Sequence, residues 1–317
     1  MAQALPKVRH TYQNHHLDST RWDNFQVRDD DIIIATPYKS GTTWMQNIVR
    51  HLVFLGQDEK PSLVDASGWL DNRIRPIGDV LAKFEVQTHR RFMKSHLPLD
   101  GLPYYSEAKY IVVGRDARDV FMSMWNHYRN YTPEFIKLLN EEVPGRVGPP
   151  LPQCPIEIAA FWYMWMTRGW FDWEREGYPF WSNLSHVQSW WDFRDLPNIL
   201  FVHFADLLED LSGGIGRVAE FLGIEVTGDH LEHITEATTF KSMKENAESF
   251  VAGRAFKGGA QTFMNKGTNG RWKNVLSPED LSLYEDAVAR ILSPDCRQWL
   301  ENGMLGTAKL SLRSTRL

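Results

Sequence analysis

Lys39, Ser40, Thr42 and Thr43 crowd around Gly41 within one short turn, Thr36-Pro37-Tyr38-Lys39-Ser40-Gly41-Thr42-Thr43. A cation, three hydroxyl donors and a glycine that lets the backbone come close are the chemistry of an anion site. The apolar run Ile32–Ala35 precedes the turn and an amphipathic stretch from Trp44 to Gly56 follows it, so the whole reads as strand, tight loop, helix. The start of such a helix aims unpaired N–H groups and a partial positive charge at whatever the loop encloses. The turn differs from a triphosphatase loop, G-x-x-x-x-G-K-[ST], in which the lysine follows the last glycine. Here Lys39 lies two residues before Gly41 and no glycine opens the loop. The cation then flanks the anion from the other side, which argues against metal-assisted phosphoryl transfer.

The elements that must hold this turn follow from periodicity. Short apolar runs recur at Ile32–Ala35, Arg91–Ser95, Tyr110–Val113 and Ile199–Phe204. Most lead through a loop into a helical pattern, as at Asp119–Tyr128 and at Leu211–Leu222, the latter closed by Gly223. Strands alternating with helices predict an α/β fold with a mostly parallel central sheet, and ligands then belong beyond the carboxyl ends of its strands. Loops 36–43, 95–98 and 114–116 sit there. Neither repeat nor linker appears, so a single domain is expected over residues 1–305, with 306–317 a disordered tail. The Pro-rich segment Val143–Pro155 and the Gly-rich segment Ala252–Gln261 read as mobile surface loops.

Bulk properties narrow the function. A net charge of −5 gives no support for a nucleic-acid partner, and two cysteines, Cys154 and Cys296, are too few for a disulfide framework. No apolar run reaches membrane-spanning length and the first residues lack the apolar core of a signal peptide, so a cytoplasmic location is expected. Thirteen tryptophans are many, and seven fall between Phe161 and Phe193. The spacing of Trp162, Trp165, Trp170 and Trp173 favours one side of a buried helix over an aromatic binding wall.

Three further stretches accompany the turn: Phe92-Met93-Lys94-Ser95-His96-Leu97-Pro98; Tyr110-Ile111-Val112-Val113-Gly114-Arg115-Asp116, continuing to Ser123; and Phe263-Met264-Asn265-Lys266-Gly267-Thr268-Asn269-Gly270-Arg271-Trp272. In this order and with these gaps they resemble the cytosolic-type sulfotransferases. That family moves a sulfuryl group from 3′-phosphoadenosine 5′-phosphosulfate (PAPS) to an acceptor hydroxyl or amine, releasing PAP. The resemblance covers about Asp30 to Asn274. It implies a single α/β domain with a central parallel sheet flanked by helices, the P-loop-kinase-like sulfotransferase fold.

Residue by residue, the resemblance assigns roles. Lys39 would bind the 5′-phosphosulfate and neutralise the bridging oxygen; Ser40, Gly41, Thr42 and Thr43 would hold the 5′-phosphate. Trp44 would stack near the adenine, and Thr238 matches a position beside it. Arg115, Ser123, Lys266 and Gly267 would hold the 3′-phosphate. His96 would be the general base and Lys94 would steady the transferring group. A neutral imidazole suits removal of a hydroxyl proton near neutral pH, and two fixed cations would stand in for Mg²⁺, so no metal is required.

The chain also departs from the family pattern. Pro37-Tyr38-Lys39 replaces Tyr-Pro-Lys. Asn265 stands where an arginine usually meets the 3′-phosphate, a loss that Arg254 or Lys257 would have to offset. Arg271 replaces an acidic residue, and Leu184 falls where an aromatic often flanks the adenine. The family's dimer motif is not matched at Lys273–Pro278, so a homodimer, if formed, would use another surface. The partner is expected to be a small acceptor, a phenol, alcohol, steroid or amine. Its pocket would lie near His96, between Trp69–Phe84, Trp125–Tyr131 and Phe161–Trp165. Two rival readings are a nucleotide-dependent kinase, for which no Walker lysine is visible, and a non-catalytic nucleotide-binding protein on the same fold.

Overall fold

The strand Ile32–Ala35, β1, is fully buried and lies at the middle of a five-stranded sheet. With β2 (Ser67–Trp69), β3 (Phe92–Ser95), β4 (Lys109–Gly114) and β5 (Ile199–His203) it forms the order β2-β3-β1-β4-β5, every pair parallel. The computed structural model describes residues 4–250 and 253–314, with 309–314 as backbone only.

Both faces of the sheet are covered, which is why its central strands read as continuous apolar runs. Successive side chains divide between two cores. Ile33, Ala35, Met93, Tyr110 and Val112 face one, while Ile32, Ile34, Phe92, Ile111 and Val113 face the other. β2 was not predicted, because Ser67-Gly68-Trp69 offers no apolar run. Its glycine is dictated by packing: a Cβ there would lie 2.1 Å from the Phe84 ring.

Helix α1 (Thr42–Val53) begins at the turn, behind Gly41, whose φ of 114° is left-handed. Helix α2 (Ala117–Arg129) follows β4 and is capped by the Asp116 side chain, which accepts from Arg118 N–H. Helix α3 (Ile158–Thr167) buries Phe161, Trp162 and Trp165, whereas Trp170 and Trp173 lie beyond its end. Trp173 instead stacks on His10 and Phe171. Helix α4 (Leu211–Leu222) ends at Gly223 as the sequence predicts. After α5 (Pro278–Ile291), with its Ser277/Asp280 capping box, α6 spans Pro294–Ser314 with a break at Gly303, φ 72°.

Residues 306–314, expected as a disordered tail, thus continue a helix; 315–317 lie outside the described residues. The Asp206 carboxylate accepts from the N–H groups of Met304 and Leu305 at 2.9 and 3.2 Å and restarts the helix there. A cap supplied from almost a hundred residues away leaves no local signal in the sequence.

Since the chain leaves β1 for β2 and β3 on one side and then crosses to β4 on the other, a crevice opens beyond the carboxyl end of β1.

Candidate functional site

A cavity of about 430 Å³ occupies that crevice. Lys39, Gly41, Thr42, Thr43, Trp44, Lys94, His96, Arg115, Ser123, Lys266 and Gly267 all line it. Ser40 and Thr238 do not. Ser40 is buried with its hydroxyl unpartnered. Thr238 is also buried; its hydroxyl donates to Ile234 O, and its own carbonyl accepts from the Trp44 indole at 2.8 Å. It therefore fixes Trp44 from behind.

The turn is positioned by an unusual backbone. Lys39 takes a left-handed φ of 63°, rare for a residue with a side chain, and the left-handed Gly41 follows two residues later. The Lys39 ammonium is thereby carried over the Phe263 ring, 4.1 Å from its centroid, and donates to His127 Nδ1 at 3.2 Å. Burial, reinforced by the charges of Arg115 and Lys94, lowers it to about 7. Lys94, at the end of β3, sits 4.1 Å over the Trp69 ring, and burial lowers it to about 8 against the opposing pull of Asp71. Arg115 lies 4.1 Å over the Phe204 ring. It donates to Lys39 O, Thr268 O and Asn269 Oδ1 at 3.3, 2.9 and 3.0 Å.

His96 follows β3 directly. Its Nδ1 lies 2.7 Å from the Thr36 carbonyl, which only accepts, so Nδ1 carries the proton. Burial first, then the Lys94 charge, pushes the imidazole well below its usual value and keeps it neutral. Nε2 then holds a free lone pair. The Tyr38 ring stacks on this imidazole with centroids 4.4 Å apart, and the Trp69 ring meets its edge at 5.3 Å.

Tyr38 is itself fixed by a chain whose proton directions can be deduced. His15 Nε2 is 3.3 Å from the Pro179 carbonyl and must donate. Burial keeps both His15 and His16 neutral, so His15 Nδ1 accepts from His16 Nδ1 across 2.6 Å. His16 Nε2 then accepts from the Tyr38 hydroxyl at 3.0 Å, and the Tyr38 oxygen accepts from Trp181 Nε1 at 2.8 Å. Both cavity-lining groups are internally satisfied.

On the far side of His96 the wall is Trp69, Ile74, Tyr131, Phe135, Leu139 and Phe256. The segments 69–84 and 125–131 thus contribute as expected. Residues 161–165 do not: Phe161, Trp162 and Trp165 are consumed by the core. Of the two surface loops, 252–261 supplies Ala255 and Phe256 while 143–155 stays outside the lining; Ala252 itself lies outside the described residues. Leu184 is in the core, and Phe240 instead joins Trp44 and Phe204 on the cavity wall. Sequence reasoning missed His16, Tyr38 as a wall and Arg271 as a lining residue, and it reached His127 only as part of the segment 125–131, without its contact to Lys39. That contact had a usable signal, since His127 follows Ser123 by four residues and shares its face of α2.

Cations and free N–H groups at the end of a parallel sheet, beside a neutral imidazole in an aromatic cavity, are the chemistry of a site that would take a large anion next to an apolar molecule. The Sulfotransferase domain family matches residues 29–295. A glycolipid sulfotransferase of Mycobacterium tuberculosis is 34% identical over 313 residues, which are 94% of this chain and 96% of that one. The chain belongs to the sulfotransferase family. Human sulfotransferase 1E1 is 28% identical, covering 80% of this chain and 81% of its own. In fold the protein is similar to a mouse sulfotransferase complexed with PAP, with a TM-score of 0.65 at 22% identity over 87% of this chain and 90% of that one. No helix among the described residues is long and apolar enough to cross a membrane.

Proposed function

We propose that the protein transfers a sulfuryl group from PAPS to the hydroxyl (or amine) of a small apolar or aromatic acceptor, with His96 as general base. The observation that carries this reading is the deduced state of His96, neutral with an unprotonated Nε2, on the same cavity wall as Lys39 and Lys94. The residues fit the donor. Among the described residues the buried Ser40 hydroxyl has no partner, the first N–H groups of α1 have none within the helix, and Arg115 bonds only neutral oxygens.

PAPS supplies a sulfur activated by a phosphate leaving group. The residues around it do the rest by position and charge. His96 Nε2 takes the acceptor proton as the acceptor oxygen bonds to sulfur. The electron pair of the broken S–O bond passes to the phosphate, where Lys39 offsets the charge; Lys94 balances the sulfuryl oxygens. Ser40, Gly41, Thr42 and Thr43 hold the 5′-phosphate, Trp44 packs on the adenine with Thr238 fixing it, and Arg115, Ser123, Lys266 and Gly267 hold the 3′-phosphate.

The acceptor class follows from what the far wall lacks. Tyr38 and His16 spend their polar atoms on each other, on Trp181 and on His15, Gln46 Nε2 donates to Ser67 Oγ at 2.7 Å, and Asn72 Oδ1 accepts from Ile74 N–H at 2.9 Å. Asn72 Nδ2 and Trp69 Nε1 have no partner among the described residues, but both atoms are buried beneath the cavity surface. A sugar with many hydroxyls would leave most of them unpaired there, at about 1–3 kcal/mol each. One hydroxyl at His96 and an apolar body against the aromatics match the wall. The relatives named glycolipid sulfotransferases suit the same class where the lipid portion fills it. A cytoplasmic site of action completes this reading. Incubation with PAPS and a phenol should release PAP and sulfated phenol in equal amounts; PAPS left intact with every apolar alcohol and phenol tried would refute it.

A further inference from the structure

Three cations, Arg115, Lys266 and Arg271, line the donor end of the cavity, and among the described residues no carboxylate lines it with them. Asp116 is occupied by Arg118, through contacts of 2.9 and 2.7 Å. Asp119 is turned to the backbone, accepting from Gly270 N–H at 2.8 Å and Arg271 N–H at 3.1 Å. The two anions nearest the cluster are thus spent on building it.

Arg271 is the least explained of the three. Its backbone is clamped by Asp119 and by Gly270, whose φ of 77° is left-handed. Its half-buried guanidinium reaches the cavity and has neither ion pair nor hydrogen bond among the described residues. The neighbouring Arg118 turns away, stacking 4.0 Å over Trp272 and 4.7 Å over Tyr284. The Arg271 charge also bears on Arg115, pushing its guanidinium in the same direction as burial does, to about 10 against the opposing pull of Asp119. Two like charges lining one pocket with only neutral partners are arranged for a shared anion.

Asn265 brings no charge to this end, and its carbonyl is taken by Lys244 Nζ at 3.0 Å. Arg254 and Lys257 do not line the cavity.

We infer that Arg271 determines specificity for the 3′-phosphate of the donor, supplying with Arg115 the fork of N–H donors that Asn265 lacks. The inference rests on the PAPS reading and goes beyond it by giving Arg271 a ligand. A guanidinium suits a phosphate because it offers two parallel N–H groups.

The test is titration calorimetry of PAP and of adenosine 5′-phosphate, which lacks the 3′ group, on the full chain. Arg271→Ala should weaken PAP by about ten- to a hundredfold and leave adenosine 5′-phosphate unchanged, with Arg271→Lys recovering part of the loss. Lys257→Ala should bind both as wild type does. PAP affinity within twofold of wild type in Arg271→Ala, or an equal loss for both nucleotides, would overturn the inference. Wild-type protein that binds PAP no more tightly than adenosine 5′-phosphate would overturn the donor reading beneath it, and that result needs no variant.

Discussion

On one side of His96 the cavity is lined by cations and backbone amides delivered by neighbouring residues at strand ends. On the other it is lined by Trp69, Tyr131, Phe135 and Phe256, drawn from segments scattered over most of the chain. The first side takes its chemistry from secondary structure: the end of β1, a left-handed Lys39 and the start of α1 supply the geometry the proposed donor site would use. The second takes its chemistry from side chains that meet only once the fold is complete. Donor recognition should therefore be brittle to single substitutions, and acceptor recognition graded.

The largest effect is expected at the seam. His96→Ala should lower kcat by about 10²–10⁴-fold while PAP binding stays intact; turnover near wild type in a folded variant would remove His96 as base. Next, on the donor side, Arg115→Ala should erase about ten- to a hundredfold of the preference for PAP over adenosine 5′-phosphate, read by competition binding. Equal discrimination in the variant would place the 3′-phosphate elsewhere.

A pH titration sharpens the same side. Lys39 is lowered to about 7 and Lys94 to about 8. An anion bound against them raises both values, so the complex keeps protons that the free protein sheds above pH 7. Donor affinity should be full below pH 7 and fall as pH rises through the interval between free and bound values, by at most about tenfold per pH unit for each lysine. His96 is neutral well below pH 6.5 and adds no acid limb near neutrality. Affinity that rises between pH 7 and 8.5 would contradict the lysine assignments.

The smallest effect lies on the acceptor wall. Phe135→Ala, at a half-buried position, should raise acceptor KM by roughly threefold to tenfold through lost apolar contact, with PAP affinity untouched. A matching loss of PAP affinity would show that the two halves are not separable.

The same contrast governs what could be read from sequence. Four of five strands, the turn and helix α4 were legible because each is a local pattern: Ile32–Ala35 before Thr36–Thr43, or Leu211–Leu222 before Gly223. β2 was not, since Ser67-Gly68-Trp69 is a strand only because Gly68 admits the Phe84 ring. Most of the residues proposed for the donor line one cavity, while the proposed wall at 161–165 went to the core instead. Nothing in a run of tryptophans says which of them a neighbouring helix will cover. The His15–His16–Tyr38–Trp181 chain likewise joins residues up to 166 positions apart and has no spacing signature.

The most direct test of the account is a competition in one vessel: PAPS with equal amounts of a phenol, a steroid alcohol, a glycolipid and a free sugar, followed by mass spectrometry. Products heavier by one sulfuryl unit are expected from the apolar hydroxyl compounds, with no sulfated free sugar, and with His96→Ala their rate of formation should fall by about 10²–10⁴-fold. Preferential sulfation of the free sugar, or product formed by His96→Ala at a rate near that of wild type, would contradict this reading.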